Sequence, residues 1–137
     1  MKPKVLFVAG RDGGACRIPA AYLNHLAGDR YLGVPVAPGP GGPVGPELAA
    51  ALRDDGVDLP DTPAVRLTPK LARAAARIVR VGADDADDLP AVKVTVETWG
   101  IPEPDGRPPV EVRVICDTAR RLVDRLVARL DTEAVVR

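Results

Sequence analysis

The stretch "KVLFVAGRDGGACR", residues 4–17, constrains the fold more than any other part of the chain. Residues 4–9, "KVLFVA", form a continuous apolar run closed by glycine, the pattern of a strand buried on both faces in a parallel sheet. Residues 17–27 then place Ile18, Tyr22 and Leu26 at helical spacing, with Pro19 read as a first-turn proline. A strand that passes through a glycine-rich loop into a helix opens an α/β unit. Its loop lies at the carboxyl edge of the sheet, where ligands of such folds bind.

The remainder alternates in the same way. Residues 31–36 read as a short strand. "PELAAALRD", 46–54, reads as a helix started by Pro46 and ended near Gly56. "LTPKLARAAA" reads as another, with Thr68 as cap and Pro69 at the first helical position. "RIVRV", 77–81, and "VKVTVE", 92–97, read as strands around an acidic loop or turn, "DDADD". The last helix is expected over 109–130. There Val112, Ile115, Ala119, Leu122, Leu126 and Leu130 share one face. The order predicts a small α/β sandwich on a mostly parallel sheet. The cluster "GVPVAPGPGGPVGP", 33–46, reads as a long loop rather than a disordered tail. A length of 137 residues suits one domain over 1–137. Aromatic residues are only 3% of the chain, so Val, Leu, Ile and Ala must fill its core.

Several function classes drop out. Nineteen basic residues balance nineteen acidic ones, leaving no net field for nucleic acid or an acidic membrane. No stretch approaches a membrane span. The apolar run after Met1-Lys2 is too short for a signal peptide, and the expected location is cytoplasmic. Cys16 and Cys116 are isolated and read as reduced thiols. With no C-x-x-C pair and a single histidine, a zinc site is not expected. Asp84, Asp85, Asp87 and Asp88 lack an EF-hand pattern and read as a solvated turn. His25 reads as a helical histidine with no partner in sequence. No metal and no cofactor is implied.

The loop itself has the parts of an anion cradle. Gly10, Gly13 and Gly14 let the backbone turn its N–H groups inward, and the amides of Ala15 and Cys16 extend the set. The helix that follows aims unpaired amides and a partial positive charge at the same place. Arg17 adds a planar fork of donors suited to a tetrahedral oxyanion, and Arg11 supplies a second cation. The competing reading is a plain tight turn. The spacing fits neither a P-loop nor the dinucleotide G-x-G-x-x-G motif.

"KVLFV", "HLAGDRY", "LTPKLARAAARIVRVG", "ETWGIPEPDG" and "VEVRVICDTARRLVDRL" stand in an order and spacing that resembles the low-molecular-weight protein tyrosine phosphatase superfamily, and within it the arsenate reductase branch. The resemblance runs nearly the full length. It implies a three-layer sandwich with a four-stranded parallel sheet. It also implies an active loop of cysteine, five residues, then arginine. In that scheme the cysteine attacks phosphorus or arsenic, amides and arginine hold the oxyanion, and an Asp-Pro acid protonates the leaving group. Reductase members pass the oxidation to further cysteines or to a small thiol.

This chain departs from that scheme where the chemistry is done. The nucleophile's strand-end position holds Ala9, and the loop from Ala9 to Arg17 is two residues longer than the family's. Counting back from Arg17 puts the slot on Arg11. The Asp-Pro acid becomes Glu103-Pro104, and the reductase cysteines are replaced by Ala83 and Asp87. Alanine cannot supply a thiolate, and losing a nucleophile removes nearly all rate above background. The first expectation is therefore a degenerate protein that binds a phosphate-, arsenate- or sulfate-like anion, or a phosphorylated ligand, through Gly10, Arg11, Gly13, Gly14, Ala15, Cys16 and Arg17. A protein partner is a further possibility. The alternative is an enzyme in which Cys16, beside Arg17 at a helix N-terminus, is the thiol and Glu103 the acid. A third reading is a structural interaction domain. Trp99 reads equally as a pocket wall and as a cap on the core, and Cys116 as a small packing residue.

Overall fold

The computed structural model describes residues 2–9, 14–38, 45–57, 64–82, 96–104 and 106–136. Eight elements follow in the expected order: β1 (Lys4–Ala9), α1 (Gly14–Ala27), β2 (Leu32–Val36), α2 (Pro46–Asp54), α3 (Pro69–Ala74), β3 (Arg77–Val81), β4 (Val96–Trp99) and α4 (Pro109–Val136). The four strands form one parallel sheet in the order β2-β1-β3-β4.

β1 lies between β2 and β3, and its alternation feeds both faces. Val5, Phe7 and Ala9 join the larger core with α1, α2 and α4. Leu6 and Val8 join a smaller one with Ile78, Val36 and the α3 residue Ala72. A central parallel strand covered on both sides has no solvent face, which is why "KVLFVA" carries no polar alternation.

The caps act as the sequence predicts. Thr68 accepts a hydrogen bond from the Leu71 amide at 3.0 Å, and Pro69 opens α3. α2 closes on Gly56 at a φ of 73°, with Val57 N–H donating to Leu52 O and Gly56 N–H to Arg53 O. That pairing is a Schellman closure, and the buried Val57 and Leu52 supply its apolar contact. Gly33 is required by close approach. A Cβ there would stand 3.0 Å from the Ala20 carbonyl oxygen, and the Asn24 side-chain amide bonds both Gly33 N and Gly33 O.

Three expectations are corrected. α1 begins at Gly14, three residues before the expected start, so Pro19 lies inside the helix and not in its first turn. Pro19 has no N–H to donate to the Ala15 carbonyl. β2 occupies 32–36, so the first part of the Pro/Gly cluster is strand, with Pro35 opposite Phe7. The described part of β4 starts at Val96 and runs two residues beyond the expected end, because Trp99 pairs with Val81. Residues 39–44, the acidic run 84–88 and the rest of the expected strand at 92–95 lie outside the described residues.

On α4, Val112, Ile115, Ala119, Leu126 and Leu130 are buried as expected, Leu122 is half-buried, and Cys116 and Val123 complete the stripe. Two matched polar clusters pin this helix near its ends. Tyr22 donates to Asp55 at 2.5 Å and Arg113 reaches the same carboxylate at 3.2 Å. Tyr31 donates to Asp131 at 2.6 Å and Arg30 reaches it at 3.2 Å.

The tyrosine hydroxyls, with help from the arginines, hold Asp55 and Asp131 below the ordinary carboxylate range. A carboxyl whose folded pKa is depressed stabilises the fold above its unfolded pKa and loses that contribution as pH falls through the folded one. The melting temperature is therefore expected to hold between about pH 7 and 5 and to fall below about pH 4. Asp55→Asn should flatten part of that acid limb in a thermal melt followed by circular dichroism. An unchanged limb in Asp55→Asn would remove Asp55 from the account. On the alkaline side, burial first and then the Asp55 bond push the Tyr22 hydroxyl well up. Its contribution is complete below the ordinary tyrosine pKa and fades as pH climbs through the raised one.

Candidate functional site

The carboxyl edge of the sheet gathers the end of β1, the first turn of α1, the end of β4 and residues 101–104. Ala9 is the last residue of β1, pairs with Val81 and is 3% exposed. Gly14 opens α1, which places Ala15, Cys16 and Arg17 in its first turn. The leading amides of that turn have no carbonyl partner within the helix. Gly10, Arg11 and Gly13 lie outside the described residues.

Cys16 has no exposed surface and belongs to the core cluster with Ala9, Ile18 and Ala15. Burial pushes its thiol up to about 12. The Arg17 charge and the Val36 backbone pull the other way, Glu103 adds to the rise, and burial outweighs them. The helix N-terminus and the guanidinium, taken alone, both favour thiolate. Loss of water around a sulfur that packs inward is the larger effect. At neutral pH the group is a thiol, a poor nucleophile.

That state has a direct readout. Iodoacetamide at about pH 7 should leave Cys16 unmodified in the folded protein, with alkylation appearing only as denaturant unfolds the chain. Alkylation of the folded protein as fast as a free thiol, slowed by phosphate, would restore Cys16 as a nucleophile.

Arg17 is half-buried and its charge is felt at the Cys16 sulfur. Glu103 is exposed, and its carboxylate is close enough to act on the same sulfur. The Glu103 carbonyl accepts a bond from Arg107 Nε at 2.6 Å, and the neighbouring Pro104 is buried. Cys16 and Arg17 from the first turn of α1 and Glu103 from the segment after β4 are thus brought together. Trp99 is a core residue. It is 5% exposed, packs on Phe7 with ring centroids 5.7 Å apart, and donates its indole N–H to Glu97 at 3.1 Å. His25 is exposed on α1. Both cysteines are free and buried. Among the described residues no group of His, Cys, Asp and Glu could hold a metal ion, and no helix is long and apolar enough to cross a membrane.

The Tyr22, Asp55 and Arg113 constellation has no counterpart among the sequence-based expectations. Beside it a groove of about 500 Å³ runs along α2 and against the start of α4, lined by Pro46, Glu47, Asp54, Pro109, Val110 and Arg113 among others. Of the expected anion-binding residues, the described ones, Gly14, Ala15, Cys16 and Arg17, do not line it. The signal available in sequence was weak: an acid next to a terminating glycine, and an arginine four residues before Asp117.

No family model matches the chain. Its fold is similar to that of a thioredoxin-dependent arsenate reductase of Corynebacterium glutamicum, with a TM-score of 0.79 at 21% identity, covering 96% of this chain and 63% of that one. It is similar to an arsenate reductase in the phosphate binding state, at 0.75 and 19% identity, covering 94% of this chain and 98% of that one. It is also similar to a low-molecular-weight protein tyrosine phosphatase from T. tengcongensis, at 0.76 and 18% identity, covering 93% and 99%. The chain spans less than two thirds of the Corynebacterium protein and almost all of the other two. At these identities the shared property is the fold: an α/β sandwich on a four-stranded parallel sheet.

Proposed function

We propose that this chain is a catalytically degenerate member of the low-molecular-weight phosphatase and arsenate reductase superfamily. It binds a phosphate-, arsenate- or sulfate-like anion, or a phosphorylated ligand, through residues 10–17. One observation carries the reading. The strand-end position holds a buried alanine, and the nearest thiol, Cys16, is sunk in the core. The binding half of the machinery has separate support: the first-turn amides of α1, Arg17 within the same turn, and a similar fold described in a phosphate binding state. In this reading the anion is held by main-chain N–H groups and one guanidinium, and no covalent bond forms to it. Glu103 is a bystander carboxylate, not a proton donor. A cytoplasmic setting agrees with two reduced cysteines.

Two measurements on the purified chain test the proposal. Calorimetric titration with phosphate, sulfate and arsenate should give saturable binding of at least one of them, preserved in Cys16→Ser. Aryl phosphate hydrolysis and thiol-coupled arsenate reduction should stay at the buffer rate. Turnover abolished by Cys16→Ser would establish the enzyme instead. Absence of saturable binding by all three anions would leave a structural interaction domain.

A further inference from the structure

We propose that Tyr22, Asp55 and Arg113 form a latch, and that the seam it closes between α2 and the head of α4 opens as a unit while the sheet stays folded. The proposal rests on the contacts of α2 and not on anion binding.

α2 packs chiefly on α4 and makes no comparable contact with the sheet. It buries only Leu48, Ala51 and Leu52. Much of what holds it is polar and comes from one side chain. Arg113 donates to Asp55 Oδ1 at 3.2 Å, to Asp54 Oδ2 at 3.1 Å and to the Ala51 carbonyl at 3.2 Å, with Asp117 at 3.9 Å on its flank. From α1, the Tyr22 hydroxyl closes on the other Asp55 oxygen. The Schellman turn fixes Asp55 at the C-cap of the helix, so its carboxylate cannot follow a moving arginine without unwinding that turn. An element with a small apolar footprint and a few directional polar contacts sits at the low end of local stability.

Both cysteines are buried in the larger core, but Cys116 alone sits against the latch residues. Cys116 has no exposed surface and lies beneath the latch, where its thiol meets the Tyr22 hydroxyl and feels Arg113, Asp55 and Asp117. Cys16 is equally buried, but beside the Val36 backbone at the end of β2. Opening of the seam bares Cys116 and leaves Cys16 covered. Unfolding of the sheet bares both.

Labelling of the full chain with excess 4,4′-dithiodipyridine, quantified at each cysteine by mass spectrometry, separates the two events. Each rate is divided by that of the same thiol in the urea-unfolded chain. At neutral pH the wild type should label Cys116 at least about tenfold faster than Cys16, a gap of about 1.4 kcal/mol in opening free energy. If neither labels, urea added below the unfolding transition should bring out Cys116 first. Tyr22→Phe should widen the ratio further by raising the Cys116 rate alone. Equal normalised rates for the two thiols in the wild type, or Cys16 labelled first, overturn the latch. So does Tyr22→Phe raising both rates by one factor. The wild-type ratio decides even where a variant does not fold.

Discussion

Arg17→Met is expected to weaken phosphate, sulfate or arsenate binding about ten- to a hundredfold, the range of a charge-assisted hydrogen-bonded contact worth about 1.5–3 kcal/mol. The effect should be large because Arg17 stands in the first turn of α1, beside its leading amides. In the described part of the loop and first turn, Arg17 is the only cationic side chain. Its fork offers paired donors, which a tetrahedral oxyanion can accept side by side. Arg17→Lys should recover part of the loss, since a point charge survives while the planar pair does not. Methionine matches the length of the arginine stem and preserves much of its packing, so circular dichroism should show the fold unchanged. Calorimetry that finds Arg17→Met within twofold of the wild type, on a folded protein, would move the site away from α1. It would also make the first-turn amides an ordinary helix start.

Much of this fold is legible in sequence because its signals are local and agree with one another. The apolar run of β1, the Thr68-Pro69 start of α3, the glycine that ends α2 and the single apolar face of α4 each follow from a short stretch. Each is found in place. The start of α1 failed for a definable reason. Gly13, Gly14 and Pro19 read locally as loop and helix start, but Ala15 and Cys16 are fully buried, and packing carries the helix back through them. Tertiary burial overrides a weak local preference there.

The chemistry of the candidate site divides in the same way. That no nucleophile stands at the end of β1 is visible in the letter Ala9. Whether Cys16 can replace it turns on depth, since the helix N-terminus and Arg17 taken alone argue for a reactive thiolate. The Tyr22–Asp55–Arg113 cluster joins residues separated by 33 and 58 positions, which no local pattern can pair. Contacts of that kind become readable only when the order of the sheet has brought α1, α2 and α4 together.

Trp99 shows how packing decides between two readings that sequence leaves level. If Trp99 walled a ligand pocket, its removal would cost affinity and little stability. In the fold it is a core residue, so Trp99→Ala should cost about 3–5 kcal/mol, the range for deleting a large buried aromatic. That is a sizeable share of the roughly 5–15 kcal/mol by which a domain of this kind is stable. Three contacts are lost together: the face of Phe7, the indole N–H bond to Glu97, and the wall that Val81 and Ile101 share at the end of the sheet. Glu97 keeps Arg129 at 3.0 Å, so its carboxylate is not stranded and the loss is mainly one of packing. The melting temperature should fall by roughly 10–20 °C. Trp99→Phe keeps a ring against Phe7 and should recover more than half of that. Anion affinity, measured well below the lowered transition, should change less than about threefold, under about 0.7 kcal/mol. A Trp99→Ala protein that melts with the wild type but binds anions tenfold worse would return Trp99 to the pocket and with it the whole arrangement of the carboxyl edge.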